Sequence, residues 1–481
     1  MKSFFTAVVT FAAIGSAAIA QTNVDDLHIG SVSVTGSVLE RYEAWGWFPA
    51  KGESAYGYSG SLLQVAFSQK AQGFDWTIDF AAPILLDLPN HAQAPAPQGT
   101  LGLGGNYYSA NDKQQFAAMV FPKQAFFRLD GERSRLQMGR FEFSDGKELA
   151  PKDETLASLI QSRIAERLIG TFGFSDVRRS FDGLHYDYSA GSSDFTAVAA
   201  VPTRGVFQTD GWGWVTTPFA YTSFSKTLSI GKSNAEWRVF GLFYNDDRGI
   251  VKTDNSPAQF AAHNLGGIDI GTFGGHYVQA ILTNIGIIDL LGWGALQTGK
   301  WGSLTQRSGA GSAEAGLQPK ILPKLRPWLR AGYFYSTGDN NPNDNVHGTF
   351  FAVLYTPRAY ARFPFFNEMN NRDLFGEVML RPRKDLTFRS DVHQLKLASG
   401  NDLWYSGGGA YQPWTFGYTG RPAHGATDLG MLYDTSADYQ WTKSFSLGLY
   451  FGYVQGGKVI EQIYPANSDA KFGFIELNYK F

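Results

Sequence analysis

Apolar and polar residues alternate along most of the chain in segments of about ten residues. The C-terminal stretch FGFIELNYKF shows the pattern: Ile475, Leu477, Tyr479 and Phe481 are apolar, and Glu476, Asn478 and Lys480 between them are polar. Successive side chains of a strand point to opposite faces, so this segment has one apolar face and one wet face. The same period recurs at 32–45, 58–69, 73–85, 116–129, 133–143, 181–189, 194–203, 216–229, 234–245, 265–282, 287–299, 305–318, 325–335, 371–381, 385–396, 427–441, 444–455 and 470–481. These are 18 predicted strands, with 16 as the alternative count. An even number is what a closed single-chain antiparallel barrel requires.

The connections alternate in length. KAQ (70–72), DGE (130–132), AGSS (190–193), PRK (382–384) and TK (442–443) are tight, polar or Gly-rich turns. Between them lie the long segments 86–115, 144–180, 246–264, 336–370 and 397–426. Short turns at one end and long loops at the other predict an all-β, closed antiparallel transmembrane β-barrel with both termini on the periplasmic side. A soluble secreted sandwich would also bury a face such as Phe74, Trp76, Ile78 and Phe80. The parity of loop lengths and the C-terminal strand favour the barrel.

The chain begins with Lys2, an apolar run from Phe4 to Ile14, and small residues at Ala18 and Ala20. This predicts a signal peptide over 1–20 and a single barrel domain over 21–481, exported from the cytoplasm. An uncleaved anchor is the alternative, but the apolar run is short for a span. Absence of cysteine leaves such an exported fold to strand pairing and burial alone. The nearest approach to an apolar helix span, 281–296, is interrupted by Asn284 and Asp289. A net charge of −2 argues against nucleic acid as a partner, and 55 glycines with 15% aromatics suit a barrel.

If the apolar faces meet lipid, the charges on the alternate faces line a lumen. On that basis Arg41 and Glu43, Arg140 and Glu142, His185 and Asp187, Arg326 and Arg330, Glu377 and Arg381, then Arg389, Asp391 and His393, and finally Asp434 with Asp438 point inward. Glu314 joins them on a weaker pattern. Interleaved signs suit hydroxylated solutes better than a ring of one sign would. The bland alternative is that these charges pair between neighbouring strands and stiffen a narrow barrel.

The segment KDETLASLIQSRIAERLIG in loop 144–180 has Leu156, Leu159, Ile160 and Ile164 at helical spacing, accompanied by Arg163, Arg167, Arg178 and Arg179. Such a loop either folds into the lumen or lies on the extracellular rim. Residues 338–345, rich in Asp and Asn, offer oxygen ligands for Ca²⁺, but Pro342 and the missing closing Glu depart from an EF-hand, so a solvated loop and no cofactor are expected. No G-x-S-x-G or H-E-x-x-H occurs, and only His185 and His393 fall on inner faces, so an enzyme is not expected. The rivals to a channel are a structural or adhesin barrel and, more remotely, an outer-membrane hydrolase.

Several stretches together resemble the alginate export family of outer-membrane barrels: MGRFEFSDG (138–146), RRSFDGLHYDY (178–188), GYFYSTGDNNPNDNVHGTFFAVLYTPRAYA (332–361), LTFRSDVHQLKLASGNDLWYSGGGA (386–410) and DLGMLYDTSADYQ (428–440). The resemblance implies an 18-stranded channel in the Gram-negative outer membrane for a uronate polymer or another carbohydrate-like, often anionic, solute. It also implies that Arg140, Arg389, Asp391, His393 and Asp434 lie on the pore wall. The tight turn at 442–443 departs from a dedicated polymer exporter, so small sugars, uronates and carboxylates fit as well. By similarity to outer-membrane proteins generally, Phe481 is the residue that the barrel-assembly machinery recognises.

Overall fold

The computed structural model describes residues 27–257, 260 and 265–481. The expected signal peptide lies outside the described residues. Eighteen strands form one antiparallel barrel. They are β1 (Val32–Gly46), β2 (Ala55–Ala71), β3 (Phe74–Leu86), β4 (Phe121–Asp130), β5 (Ser134–Phe141) and β6 (Phe181–Ala190). Next come β7 (Ser193–Pro202), β8 (Phe219–Ile230), β9 (Ser233–Asp246), β10 (Ile268–Leu282), β11 (Gly286–Trp301) and β12 (Leu304–Pro319). The wall ends with β13 (Trp328–Ser336), β14 (Asn371–Arg383), β15 (Leu386–Leu397), β16 (Asp428–Gln440), β17 (Phe445–Gly456) and β18 (Asp469–Lys480).

β18 pairs back onto β1 from Ser37↔Lys480 to Gly46↔Lys471, which leaves the sheet without an edge. The seam is finished by Phe481, whose N–H donates to the Gly36 carbonyl at 3.0 Å while the Gly36 N–H donates to the Phe481 carbonyl at 2.8 Å. Large apolar side chains such as Leu63, Ile78, Leu184, Phe273, Val378 and Phe451 stand exposed on the outer face, as a lipid-facing surface requires.

Connections at the periplasmic end are mostly tight, for example 72–73, 191–192 and 231–232; 320–327 is the longest. Opposite them lie the long segments 87–120, 142–180, 203–218, 337–370 and 398–427, although Gly302 and Ser303 also make a tight turn on that side.

The long loops fill the barrel. In the 142–180 loop, Asp153 caps a short helix, Glu154–Leu159, by accepting from the N–H groups of Thr155 and Leu156. The helix continues as one π turn, Ile160–Ile164, and Leu156, Leu159, Ile160 and Ile164 are all buried. The loop also pairs with the 337–370 loop, through Leu354 N–H to Leu168 O and Gly170 N–H to Leu354 O, both at 2.9 Å. Phe350 to Tyr355 are buried throughout. Of the two placements open from sequence, the loop takes the inward one.

The descent is deep. Asn234, the second residue of β9 after its periplasmic turn, donates to Asp153 at 2.9 Å. Gln318, near the periplasmic end of β12, donates to Thr155 at 2.9 Å. An extracellular loop thus reaches the periplasmic mouth.

Candidate functional site

The lumen is organised by buried ion pairs that join the plug to the wall. Arg163, on the π turn, reaches Glu314 of β12 at 2.9 and 3.0 Å. Arg330 of β13 reaches the same carboxylate at 2.8 Å and also pairs with Asp289 of β11, which accepts from the Trp328 indole at 2.7 Å. Arg167, just past the end of the π turn, pairs with Glu368 of the 337–370 loop and lies 4.0 Å from the Tyr360 ring. These groups are nearly dry, and a charge taken from water is held only where partners replace its hydration.

A second latch sits across the barrel. Arg41 pairs with Asp176 of the plug at 3.2 Å and with Glu476 of β18. Glu43 accepts from Tyr58 at 2.7 Å and from the Trp45 indole at 3.0 Å, and it meets Arg358 of the 337–370 loop at 3.3 Å. The third latch joins Arg238 of β9 to Glu148 at 2.9 Å and to Asp145 at 3.4 Å. Burial pushes the carboxyls of Asp145 and Asp176 up to about 6, against the opposite pull of Arg238 and Arg41 beside them. The docked loop therefore excludes water from its own anchors.

On β14 to β16, Glu377, Asp391 and Asp434 stand directly opposite one another in successive strands. Arg389 bridges Glu377 at 2.8 Å and Asp391 at 2.7 Å. His393 Nδ1 is hydrogen-bonded to Asp373 at 2.9 Å, and Arg362, from the 337–370 loop, donates to Ser436 at 2.6 Å. Beside β5 and β6, a cavity of about 350 Å³ is lined by Glu142, Lys147, Glu148, Glu166, His185 and Asp187, among others. Its glutamates are matched by cations, Glu142 by Lys123, Glu166 by Lys147 and Glu148 by Arg238, and Asp187 is hydrogen-bonded to the His185 ring at 3.0 Å. Between the extracellular loops, a smaller cavity of about 50 Å³ has Trp47, Phe172, Phe207, Thr100, Ser406 and Arg421 in its wall.

Most of the residues predicted to face inward do so: Arg41, Glu43, His185, Asp187, Arg330, Glu377, Arg389, Asp391, His393 and Asp434 lie on the lumen side, and Glu142 turns inward just past the end of β5. Two do not. Arg140 is on the outer face of β5, where it pairs with Asp182 at 2.8 Å and donates to carbonyls of Gly211 and Trp212 near the extracellular end. The inner face at this point is Phe141 and Phe143, buried beneath the plug. Arg326 is exposed in the 320–327 turn, with φ of 42°, because β13 starts only at Trp328. Arg381 lies beyond a register shift in β14, at the periplasmic rim over the Trp328 ring. In the 338–345 segment, Asp339 and Asp344 cap the N–H groups of Asn341 and Val346.

The plug partners Asp145, Glu148, Asp176, Arg358 and Glu368 escaped sequence reasoning. The signal that was available is the helical spacing of Leu156, Leu159, Ile160 and Ile164, which marks a segment that buries one face and carries Arg163 with it. Because Arg140 points away from the lumen, Arg140→Gln is expected to leave the reversal potential in a salt gradient unchanged, as planar-bilayer recording would check.

A model of the alginate export family matches residues 162–474. No curated protein sequence matches the chain. Among solved structures, OccAB4 of Acinetobacter baumannii is similar at a TM-score of 0.55 and 8% identity, covering 94% of this chain and 98% of that one. OccK9 (OpdG) of Pseudomonas aeruginosa gives 0.55 at 10% identity with the same coverage. The outer-membrane protein OpdK of P. aeruginosa gives 0.51 at 7%, covering 93% and 98%. At these identities the likeness is one of fold. With the family model spanning well over half of a closed 18-stranded barrel, the chain belongs to the alginate export family.

Proposed function

We propose that this outer-membrane channel passes small hydroxylated carboxylates, such as single uronates and other sugar acids, past a docked loop plug. The observation that carries the reading is the space left beside the plug: a cavity of about 350 Å³ whose glutamates all have cationic partners and whose Asp187 is hydrogen-bonded to His185. That volume is at the low end for a small-molecule site, and a wall of matched charges presents hydrogen-bonding groups rather than a net field. Arg178 adds the acid preference. Among the described residues it makes no ion pair, its Nε is buried without an acceptor, and it lies within the field of Lys123, Glu142 and Glu476. Arg178 is not in the lining of that cavity but acts on Glu142, which is, and a guanidinium with an unpartnered N–H suits a carboxylate that passes there. A polymer would need the 142–180 loop to leave the lumen.

Liposome swelling with a monouronate, its neutral parent sugar and a long uronate oligomer tests this reading. The monouronate should enter several-fold faster than the neutral sugar, the oligomer should be excluded, and Arg178→Gln should bring the two monosaccharide rates together. Equal rates for the two monosaccharides through the unaltered channel would sink the reading.

A further inference from the structure

We propose that Asp391, His393 and Asp434 bind a divalent transition-metal ion, with Zn²⁺ the natural probe, on the inner wall of the barrel. One donor atom from each residue lies within 4.8 Å of the other two, and all three side chains are buried. His393 and Asp391 are two residues apart on the inward face of β15, and Asp434 is directly opposite Asp391 on β16. Like charges facing each other across a ladder destabilise a sheet unless a cation stands between them. The neighbouring arginines fall short: the carboxylates of Asp373, Glu377, Asp391, Asp434 and Asp438 are set against the guanidiniums of Arg389 and Arg362. Arg163, which also acts on Arg389, is committed to Glu314.

Each of the three residues has one atom held and one to offer. His393 Nδ1 is taken by Asp373, the carboxylate–histidine arrangement that fixes the ring and leaves Nε2 as the metal-binding nitrogen. Asp391 Oδ2 faces Arg389, while its Oδ1 is buried and accepts no hydrogen bond. Asp434 Oδ2 accepts from Tyr450 at 3.3 Å, and its Oδ1 takes no hydrogen bond among the described residues. One imidazole and two carboxylates suit Zn²⁺ or Co²⁺ better than Ca²⁺ or Mg²⁺, which prefer all-oxygen shells. Three protein ligands leave a coordination position open toward the lumen.

Folded, metal-stripped protein in detergent, titrated calorimetrically with ZnCl₂ alone, tests the site without any solute. One Zn²⁺ per chain is expected. His393→Gln should weaken it at least 100-fold, Asp373→Asn by 10- to 100-fold through the lost orientation of the ring, and His91→Gln, in an exposed loop, should bind as the parent does. Should His393→Gln fail to fold, the parent loaded with Co²⁺ should show a visible absorption band that Zn²⁺ abolishes. No uptake of either ion by the parent, or undiminished binding by folded His393→Gln, overturns the proposal.

Discussion

Replacing both Arg163 and Arg167 with leucine should raise the open-state occupancy of the channel by about 100-fold or more and increase its unitary conductance. The two guanidiniums are the plug's attachment to Glu314 and Glu368. A hydrogen bond to a charged group is worth roughly 1.5–3 kcal/mol, so losing two such anchors shifts the docked–undocked balance by about 3–6 kcal/mol. With tenfold for each 1.4 kcal/mol, that is about 10²–10⁴ in the equilibrium constant. Leucine keeps apolar contact with the Phe375 and Tyr360 rings that the guanidiniums now cover. The wall stays satisfied, because Glu314 retains Arg330 at 2.8 Å. Single-channel recording checks the outcome, with heat-modifiable gel mobility as the control for an intact barrel. Traces indistinguishable from the parent would mean that these anchors do not hold the plug.

Removing Phe481 should lower the yield of folded barrel several-fold while leaving the conductance of the molecules that fold unchanged. The residue contributes the last two hydrogen bonds of the β1–β18 seam, and its ring lies where a side chain at Gly36 would have to go. In hydrocarbon an unpaired backbone group costs several kcal/mol, so a seam that stays open at its end is penalised more than it would be in water. Gly36→Val, which drives a branched side chain into the Phe481 ring, should produce the same loss. Normal abundance of folded protein for both variants would show that the seam closes without this contact.

All eighteen strands were legible in the sequence, because lipid enforces alternation on one face and turn lengths repeat by parity. The faces of β1, β14, β15, β16 and β18 were legible for the same reason: Tyr42, Val378, Val392, Tyr433 and Leu477 look outward, and the charges between them look in. On β5 the rule fails for a physical reason. Where a loop fills the lumen, the inner face is as dry as the outer, so Phe141 and Phe143 turn inward and Arg140 outward. The partners of the wall charges were hidden for a different reason. Asp176 is 135 residues from Arg41, and Glu314 is 151 residues from Arg163, separations over which periodicity carries no information. Arg326 was misplaced because LRPW continues the apolar rhythm of β13 although the backbone there turns at positive φ.

The contact between Asp153 and Asn234 makes the 142–180 loop a bridge between two compartments. Its ends belong to the cell surface and its middle touches the periplasmic rim, so one continuous piece of chain is within reach of molecules on both sides of the membrane. A label or epitope at its tip would report a topology opposite to that of the loop that carries it. By the same token, a periplasmic partner that grips this tip would act on the outward-facing vestibule with no movement of the barrel wall.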